Sequence, residues 1–285
     1  MTGRACLAGV SVGDGLDVAV AGALNVSPES FYRGSVVTQA DHLLRMAETM
    51  AGAGAAFVDV GAMSTAPYLG ARIEESEEAD RLAWAVDLLV AKLGVLVSAD
   101  TSRHRPARAA LDAGARIIND VTGLAGDAEM ARELGRRPDV GLILVAFERA
   151  APAARDPIAV VAGMLARSLD IARAAGIDEA RIVVDPGIGF FRDQGLAWHE
   201  WDATVLGRLD ELRPLGRPVA IGVSRKSFVG ALTGEDDPAR RLPGSLAAAA
   251  VAVLHGARLV RAHDVAETVQ AVKVAQAVRR ARGGR

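Results

Sequence analysis

The sequence predicts a (β/α)8 barrel of the TIM type, and two observations favour this fold. A unit of short apolar strand, polar loop and amphipathic helix repeats eight times along 285 residues without an interdomain linker. Hydrophobic residues make up 51% of the chain and aromatic residues only 4%, which suits a parallel sheet covered by alanine-rich helices. We therefore expect one domain spanning residues 1–285. The alternative, a doubly wound sheet, usually has fewer strands and a glycine-rich dinucleotide turn, which the sequence lacks.

The predicted elements follow one another in regular order. Residues 1–23 predict two short strands around the turn Gly13-Asp14-Gly15, running into a third strand, and we expect this N-terminal β-hairpin to cover one end of the barrel. Short β-branched runs then predict the barrel strands Val18–Leu24, Ala56–Val60, Val95–Ala99, Arg116–Asn119, Gly141–Val145, Arg181–Val184, Val219–Val223 and Arg258–Arg261. Helical periodicity predicts Thr38–Ala53, Ile73–Leu93, Arg105–Ala113, Asp127–Gly135, Ile158–Ala175, His199–Leu212, Arg240–Leu254 and Val265–Arg279.

Composition excludes several classes of protein. A net charge of −2 gives no general electrostatic case for binding nucleic acid or an anionic membrane. Cys6 is the only cysteine, so neither an internal disulfide nor a cysteine metal cage can form. No stretch approaches the ~20 apolar residues of a membrane helix, and the glycines and aspartates at 13–17 are unlike a signal peptide. We expect a soluble, cytoplasmic protein.

The segment Pro218–Gly230 is the most informative stretch. A buried strand is predicted to end here, and Arg225, Lys226 and Ser227 follow it at the predicted start of a helix. Two cations beside the N–H groups of a helix start favour a ligand with oxygens and negative charge. A solvated basic turn with two capping serines is the alternative.

Polar residues follow seven of the eight predicted strands. Each alone has a structural explanation, because an aspartate after a strand often caps the next helix. The strand ends are Asn25-Val26-Ser27, Asp59 with Gly61–Pro67, Asp100-Thr101, Asn119-Asp120, Asp185–Phe190, Ser224-Arg225-Lys226 and Arg261–Asp264, and only Ala146-Phe147 is bland. In a barrel these ends converge on one mouth. Together they offer carboxylates and amides for a ring with donors and acceptors, beside cations for a phosphate-like group.

With seven segments in order, the chain resembles the dihydropteroate synthase family. That family joins 6-hydroxymethyl-7,8-dihydropterin pyrophosphate to 4-aminobenzoate within a TIM barrel. The segments are NVSPESF (25–31), DVGAMSTAP (59–67), SADT (98–101), IIND (117–120), DPGIGF (185–190), SRKSF (224–228) and RAHDV (261–265). SPESFY and MSTAPY resemble archaeal-type members, some of which make methanopterin rather than folate.

The resemblance implies roles for individual residues. The residues implied to bind the pterin are Asp59, Asp100, Asn119, Asp185 and Lys226. Those implied to bind the pyrophosphate are Asn25, Arg261 and His263, with Mg2+ held by Asn25. Those implied to line the site of the second substrate are Thr65, Phe190 and Ser224. Asp100, Lys226, Arg261 and His263 are the implied catalytic residues. A homodimer is also expected.

The chemistry of these side chains agrees with those roles. A carboxylate such as Asp185 can accept two parallel N–H donors from a pterin edge. Lys226 can reach the ring oxygen and lower the pKa of that carboxylate. Loss of pyrophosphate leaves positive charge on the pterin methylene, which an ionised Asp100 stabilises.

The sequence also departs from the family pattern. The family loop Glu-Ser-Thr-Arg-Pro is Met63–Pro67 here, so Ala66 replaces an arginine that helps bind anions. Phe191-Arg192 replaces a Gly-Lys pair, and the nearby Trp198 and Trp201 are interpreted as core residues. Two alternative functions therefore stay open: a pterin-dependent methyltransferase, which has no pyrophosphate to bind, and a non-catalytic pterin-binding barrel.

Overall fold

The computed structural model describes residues 3–26, 36–62, 73–147, 156–192 and 196–283. Eight parallel strands, β3 to β10, close into a barrel in chain order, with β10 pairing back onto β3. The barrel strands are β3 Ala19–Asn25, β4 Phe57–Gly61, β5 Val97–Asp100, β6 Ile117–Asp120, β7 Gly141–Val145, β8 Ile182–Asp185, β9 Val219–Gly222 and β10 Ala257–Ala262. The predicted barrel is confirmed, and each strand lies within two residues of its predicted bounds.

Helices cover the outside of the barrel. They are α1 Val36–Gly52, α2 Glu75–Leu93, α3 His104–Asp112, α4 Ala128–Gly135, α5 Pro157–Ala174, α6 Trp198–Gly207, α7 Ser227–Thr233, α8 Leu242–Leu254 and α9 Val265–Gly283. The single helix predicted at His199–Leu212 is wrong, because Arg208 leaves helical geometry and a 3-10 turn follows at Leu209–Leu215. The short helix α7 begins at Ser227, where the sequence predicts the start of a helix, but its bounds are not among the predicted helices. None of the helices in the described part of the chain is both long and apolar enough to cross a bilayer.

An antiparallel hairpin precedes the barrel, as predicted, but its turn is elsewhere. Strands β1 Arg4–Leu7 and β2 Val10–Gly13 pair so that Leu7 faces Val10. The turn is therefore Ala8-Gly9, and both residues have positive φ, 48° and 98°, as in the two-residue turns that suit the twist of a hairpin. The predicted turn at Gly13-Asp14-Gly15 instead connects the hairpin to β3.

The hairpin closes the end of the barrel opposite the mouth. Leu7 and Val12 are fully buried and join an apolar layer inside the barrel. The barrel residues of this layer are Ala21, Phe57, Ile117, Ile143, Val183, Ala220 and Leu259. We call this layer, with the hairpin side chains beneath it, the barrel floor. It leaves the strand ends at the opposite side as the open mouth.

Candidate active site

Four residues predicted to bind substrate lie directly above the barrel floor. Side chains two residues apart on a strand point the same way, so each floor residue is followed by an inward-facing one. Phe57, Ile117, Val183 and Leu259 are followed in this manner by Asp59, Asn119, Asp185 and Arg261. These four come from β4, β6, β8 and β10, which are alternate strands of the barrel. This is how a TIM barrel builds one internal layer, and here the layer is charged and polar.

Asp59 and Asp100 share one cation. Arg261 donates from Nε to Asp59 Oδ2 and from Nη2 to Asp100 Oδ2, the latter over 3.0 Å. Asn119 Nδ2 donates to the same Asp59 oxygen over 3.0 Å. Burial opposes the charge on Arg261, but the two carboxylates raise its pKa above the usual value. Three predicted pterin residues are thus brought together, and Arg261 lies among them.

The carboxyl group of Asp100 is electrostatically unusual. Burial raises its pKa to about 7, and the neighbouring charge of Asp59 adds to this rise, while Arg261 and Lys226 oppose it. At neutral pH the group is therefore less fully ionised than an ordinary aspartate. The sequence interpretation treated it as an ordinary ionised carboxylate.

Asp185 ends β8, Lys226 follows the neighbouring β9, and the two side chains influence each other electrostatically. Asp185 Oδ1 accepts the backbone N–H of Gly187 over 2.8 Å, and Lys226 Nζ donates to the carbonyl of Ile188. Lys226 lowers the pKa of Asp185, as predicted, but burial is the larger effect and the net shift is upward. Burial likewise lowers the pKa of Lys226, against the attraction of Asp185.

Phe190 and Ser224, predicted on the second-substrate side, contact residues of the other two sets. The Phe190 ring lies 4.9 Å from Lys226 Nζ, and it packs edge-on against Phe147. Ser224 Oγ accepts the backbone N–H of His263 over 3.2 Å and lies 3.0 Å from His263 Nδ1. Phe147, which ends the bland strand, therefore also belongs to the mouth.

His263 and Arg225 differ from the cations that the sequence suggested. Burial, with the nearby charges of Arg261 and Arg225, lowers the pKa of His263 to about 4, so the ring is neutral at pH 7. Arg225 has a positive φ of 58° and pairs with Asp264, Nε to Oδ2 over 2.9 Å. This ion pair therefore connects the ends of β9 and β10. Arg261 and Lys226 are left as the predicted cations near the carboxylates of Asp59, Asp100 and Asp185.

Asn25 stands at the end of β3, at the rim. A side chain at Gly61 would lie 3.2 Å from Asn25 Oδ1 and 3.6 Å from Asp100 Oδ2, so both oxygens flank this glycine. In the described part of the chain no three His, Cys, Asp or Glu side chains gather into a metal-binding group. One amide oxygen suits Mg2+ only as part of a shell completed by water and substrate phosphates, which is how this ion commonly binds.

Some predicted residues lie outside the described part of the chain. They include Thr65 and Ala66 of the second-substrate loop and the segment from Ser27 to Phe31. The tryptophan interpretation is testable and holds for Trp201, which is buried and stacks on Phe191 at 5.2 Å between ring centroids. Trp198 is partly buried and carries the Arg192 guanidinium 4.0 Å above its ring.

Sequence reasoning missed two buried acids behind the site. Glu78 accepts Thr101 Oγ1 over 2.6 Å and Arg103 Nη1 over 3.0 Å, which secures the loop after β5. Asp202 accepts the backbone N–H of Gly189 over 2.9 Å. The available signal for Asp202 is its position on α6, between the buried Trp201 and Val205.

The barrel with this acid–cation mouth defines the class of protein, a pterin-binding barrel enzyme: residues 21–263 match the family described as "Pterin binding enzyme". The chain is 40% identical over 269 residues to the dihydropteroate synthase of Mycobacterium leprae, covering 90% of this chain and 92% of that one. It therefore belongs to the dihydropteroate synthase family.

Solved structures agree. The fold is similar to the dihydropteroate synthase of Xanthomonas albilineans with 4-aminobenzoic acid, with a TM-score of 0.84, 36% identity and 98% of each chain covered. It is also similar to the Burkholderia cenocepacia enzyme complexed with 7,8-dihydropteroate, with a TM-score of 0.83, 34% identity and 99% of each chain covered. The archaeal-type branch stays a prediction.

Proposed function

We propose that this protein is a dihydropteroate synthase-type transferase that condenses 6-hydroxymethyl-7,8-dihydropterin pyrophosphate with 4-aminobenzoate or a related arylamine. One observation carries the assignment of the pterin site. Asp59 Oδ1, Asp100 Oδ1 and Asn119 Oδ1 are buried acceptors without a hydrogen-bond partner among the described residues. Buried acceptors of this kind are costly unless a donor completes them. The N–H groups along a pterin edge are such donors.

Asp185 and Lys226 complete the pterin site in this proposal. Asp185 faces the mouth with a carboxylate that one backbone N–H already orients. Lys226, held by the Ile188 carbonyl, presents its remaining N–H donors to the ring oxygen. The phenyl ring of Phe190 beside Lys226 supplies an apolar wall for flat substrates.

The reaction requires one bond to form and one to break. The amine nitrogen bonds to the pterin methylene carbon, the bond from that carbon to the pyrophosphate oxygen breaks with its electron pair, and the amine releases one proton. Positive charge develops on the methylene carbon, and Asp100 in its ionised form stabilises it. A neutral His263 and the guanidinium of Arg261 donate hydrogen bonds to the departing oxygens.

Magnesium belongs to the pyrophosphate side of this proposal. Asn25 at the rim would contribute one oxygen ligand, and the ion when bound would neutralise charge on the leaving group. Thr65 and Ser224 are proposed to line the arylamine side with Phe190. A single domain, a homodimer and a cytoplasmic location complete the proposal.

Release of pyrophosphate tests the function. The protein is mixed with the pterin pyrophosphate and 4-aminobenzoate, and pyrophosphate and dihydropteroate are quantified together. Equal amounts of both products are expected, and omission of the amine should remove dihydropteroate. Pterin binding without either product would contradict the proposal and favour a methyltransferase or a non-catalytic barrel.

A lysine pair provides the matched control. Lys226→Ala should impair both pterin binding and product formation, because a partly buried charged donor is lost. Lys92→Ala removes the same charge from the exposed end of α2 and should change neither. Wild-type turnover of the Lys226 variant would overturn the pterin site described above.

A further inference from the structure

Asp202 is a buried acid that the proposed reaction does not use. Its side chain has 0% exposure, although aspartate is rarely buried without a partner. Oδ1 accepts the Gly189 N–H over 2.9 Å, and Oδ2 has no hydrogen-bond partner within the described residues. A buried carboxylate of this kind is costly unless a cation compensates its charge.

The charged groups around Asp202 come from three elements. Lys226 lies at the start of α7, Arg192 follows the β8 loop and His199 lies on α6 itself, and attraction from all three opposes the effect of burial on Asp202. Burial lowers the pKa of Lys226, attraction from Asp185, Asp202 and Asp100 favours its charged form, and repulsion from Arg261 opposes that form. Lys226 is therefore the cation that links Asp202 to the proposed pterin site.

Backbone geometry ties the same residues together. Gly189 has a φ of +88°, and a side chain there would lie 3.2 Å from Lys226 Cδ. Gly189 in the loop after β8 therefore lies close to the aliphatic part of the Lys226 side chain. The amine of Lys226 donates to the backbone carbonyl of Ile188 in the same loop. Asp202 secures this arrangement from behind through the Gly189 N–H.

We infer that Asp202 is a positioning residue that fixes the loop at Gly187–Phe190 and supplies the second counter-charge that keeps Lys226 protonated in the pterin site. The inference deepens the proposed function and rests on it for the role of Lys226. Burial raises the pKa of Asp202 to about 6. Asp202 is thus ionised above that pH, and Lys226 loses this anion as the pH falls through it.

Asp202→Asn separates charge from position. The amide oxygen can still accept the Gly189 N–H, but the negative charge is gone. The matched control is Glu200→Gln, which removes one charge from an exposed position on the same helix. The chain has three lysines, Lys92, Lys226 and Lys273, so isotope-labelled lysine gives an NMR spectrum that single variants can assign.

The alkaline titration midpoint of Lys226 should fall by one pH unit or more in Asp202→Asn. It should stay unchanged in Glu200→Gln and be restored by Asp202→Glu. In Asp202→Asn the affinity for a bare pterin, measured by calorimetry at a series of pH values, should also fall at a lower alkaline pH than in the wild type, over the same range in which Lys226 loses its proton. An unchanged Lys226 midpoint in Asp202→Asn would overturn the inference.

If Asp202→Asn does not fold, the acid titration of the chain with Asp202 intact decides the matter. The Lys226 signal should change near pH 6, and this change should survive both Asp100→Asn and Asp185→Asn, which remove the other two acids whose charge acts on Lys226. A flat Lys226 signal from pH 5 to 8 would overturn the inference. Absence of pterin binding at every pH would instead contradict the proposed function, while the lysine titration still decides the role of Asp202.

Discussion

Arg261 Nη2 lies 3.0 Å from Asp100 Oδ2, so a cation proposed for pyrophosphate is held by a carboxylate proposed for pterin. Its Nε is engaged with Asp59 at the same time. Pyrophosphate must therefore compete with two buried carboxylates for the guanidinium. The two subsites share a residue, and occupation of one changes the charge balance of the other.

This sharing distinguishes Arg261 from His263. His263→Ala should weaken pyrophosphate binding and leave a bare pterin nearly unaffected, because the neutral ring contacts Ser224 and not the acids. Arg261→Gln should weaken both, because Asp59 and Asp100 lose their common cation. Calorimetric titration of each variant with inorganic pyrophosphate and with a pterin provides the comparison. Equal behaviour of the two variants would show that the subsites are not coupled through Arg261.

Asp185→Asn should weaken pterin binding by at least ~1.5 kcal/mol, about tenfold in affinity, because a charge-assisted bidentate contact becomes a neutral one. Asp87→Asn, on the exposed face of α2, is the control for loss of one charge. Calorimetry with a pterin analogue measures both. Unchanged affinity in the Asp185 variant would place the pterin elsewhere.

Asp100 should make the stability of the protein depend on pH. Because burial raises its pKa from 3.8 to about 7 in the folded state, the folded protein binds more protons than the unfolded chain between these values. The stabilising contribution is present below pH 4 and is lost as the pH rises towards 7. Asp100→Asn should therefore gain at least ~1.4 kcal/mol in unfolding free energy relative to wild type between pH 4 and pH 8.

Urea denaturation of both proteins at the two pH values measures this difference. Asp210→Asn, at an exposed position, should track the wild type. A difference between Asp100→Asn and wild type that does not change with pH would mean that Asp100 keeps an ordinary pKa in the folded protein.

Ala66 should weaken inhibition by sulfonamides, which mimic 4-aminobenzoate. The family arginine at this position is expected to contribute roughly 1–3 kcal/mol to anion binding, the scale of a charged hydrogen bond. Ala66→Arg should therefore strengthen sulfonamide inhibition and speed turnover with 4-aminobenzoate. Inhibition assays beside a bacterial dihydropteroate synthase test this, and identical inhibition of the variant and the wild type would show that the substitution is neutral.

The polar layer at the mouth is predictable from the sequence because strand periodicity alone places it. Asp59 follows Phe57 by two residues, and Arg261 follows Leu259 in the same way, so the pattern identifies both the inward face and the strand end. What periodicity cannot give is the pairing across the barrel. The resemblance implies a pyrophosphate role for Arg261, and only the closed barrel brings it onto Asp59 and Asp100.

Other differences depend on local conformation or on distant contacts. Ala8 adopts a positive φ that alanine rarely takes, so the glycine-rich stretch at residues 13–15 was a stronger turn signal than the actual turn. The sequence does not show whether Arg225 forms a structural ion pair or binds substrate, since its partner Asp264 is 39 residues away. Asp202 functions through Gly189, 13 residues earlier, on a loop whose path the sequence does not reveal.

The barrel floor also determines how dissolved salt reaches the site. Phe57, Leu259 and Leu7 of the hairpin are buried in one apolar cluster, so the described side chains below Asp59 and Arg261 are apolar. We therefore expect counter-ions to approach from the mouth, and screening is weak where water is excluded. Ionic strength should therefore loosen anions bound at the rim near Asn25 while leaving the deep Asp59–Arg261 pair almost untouched.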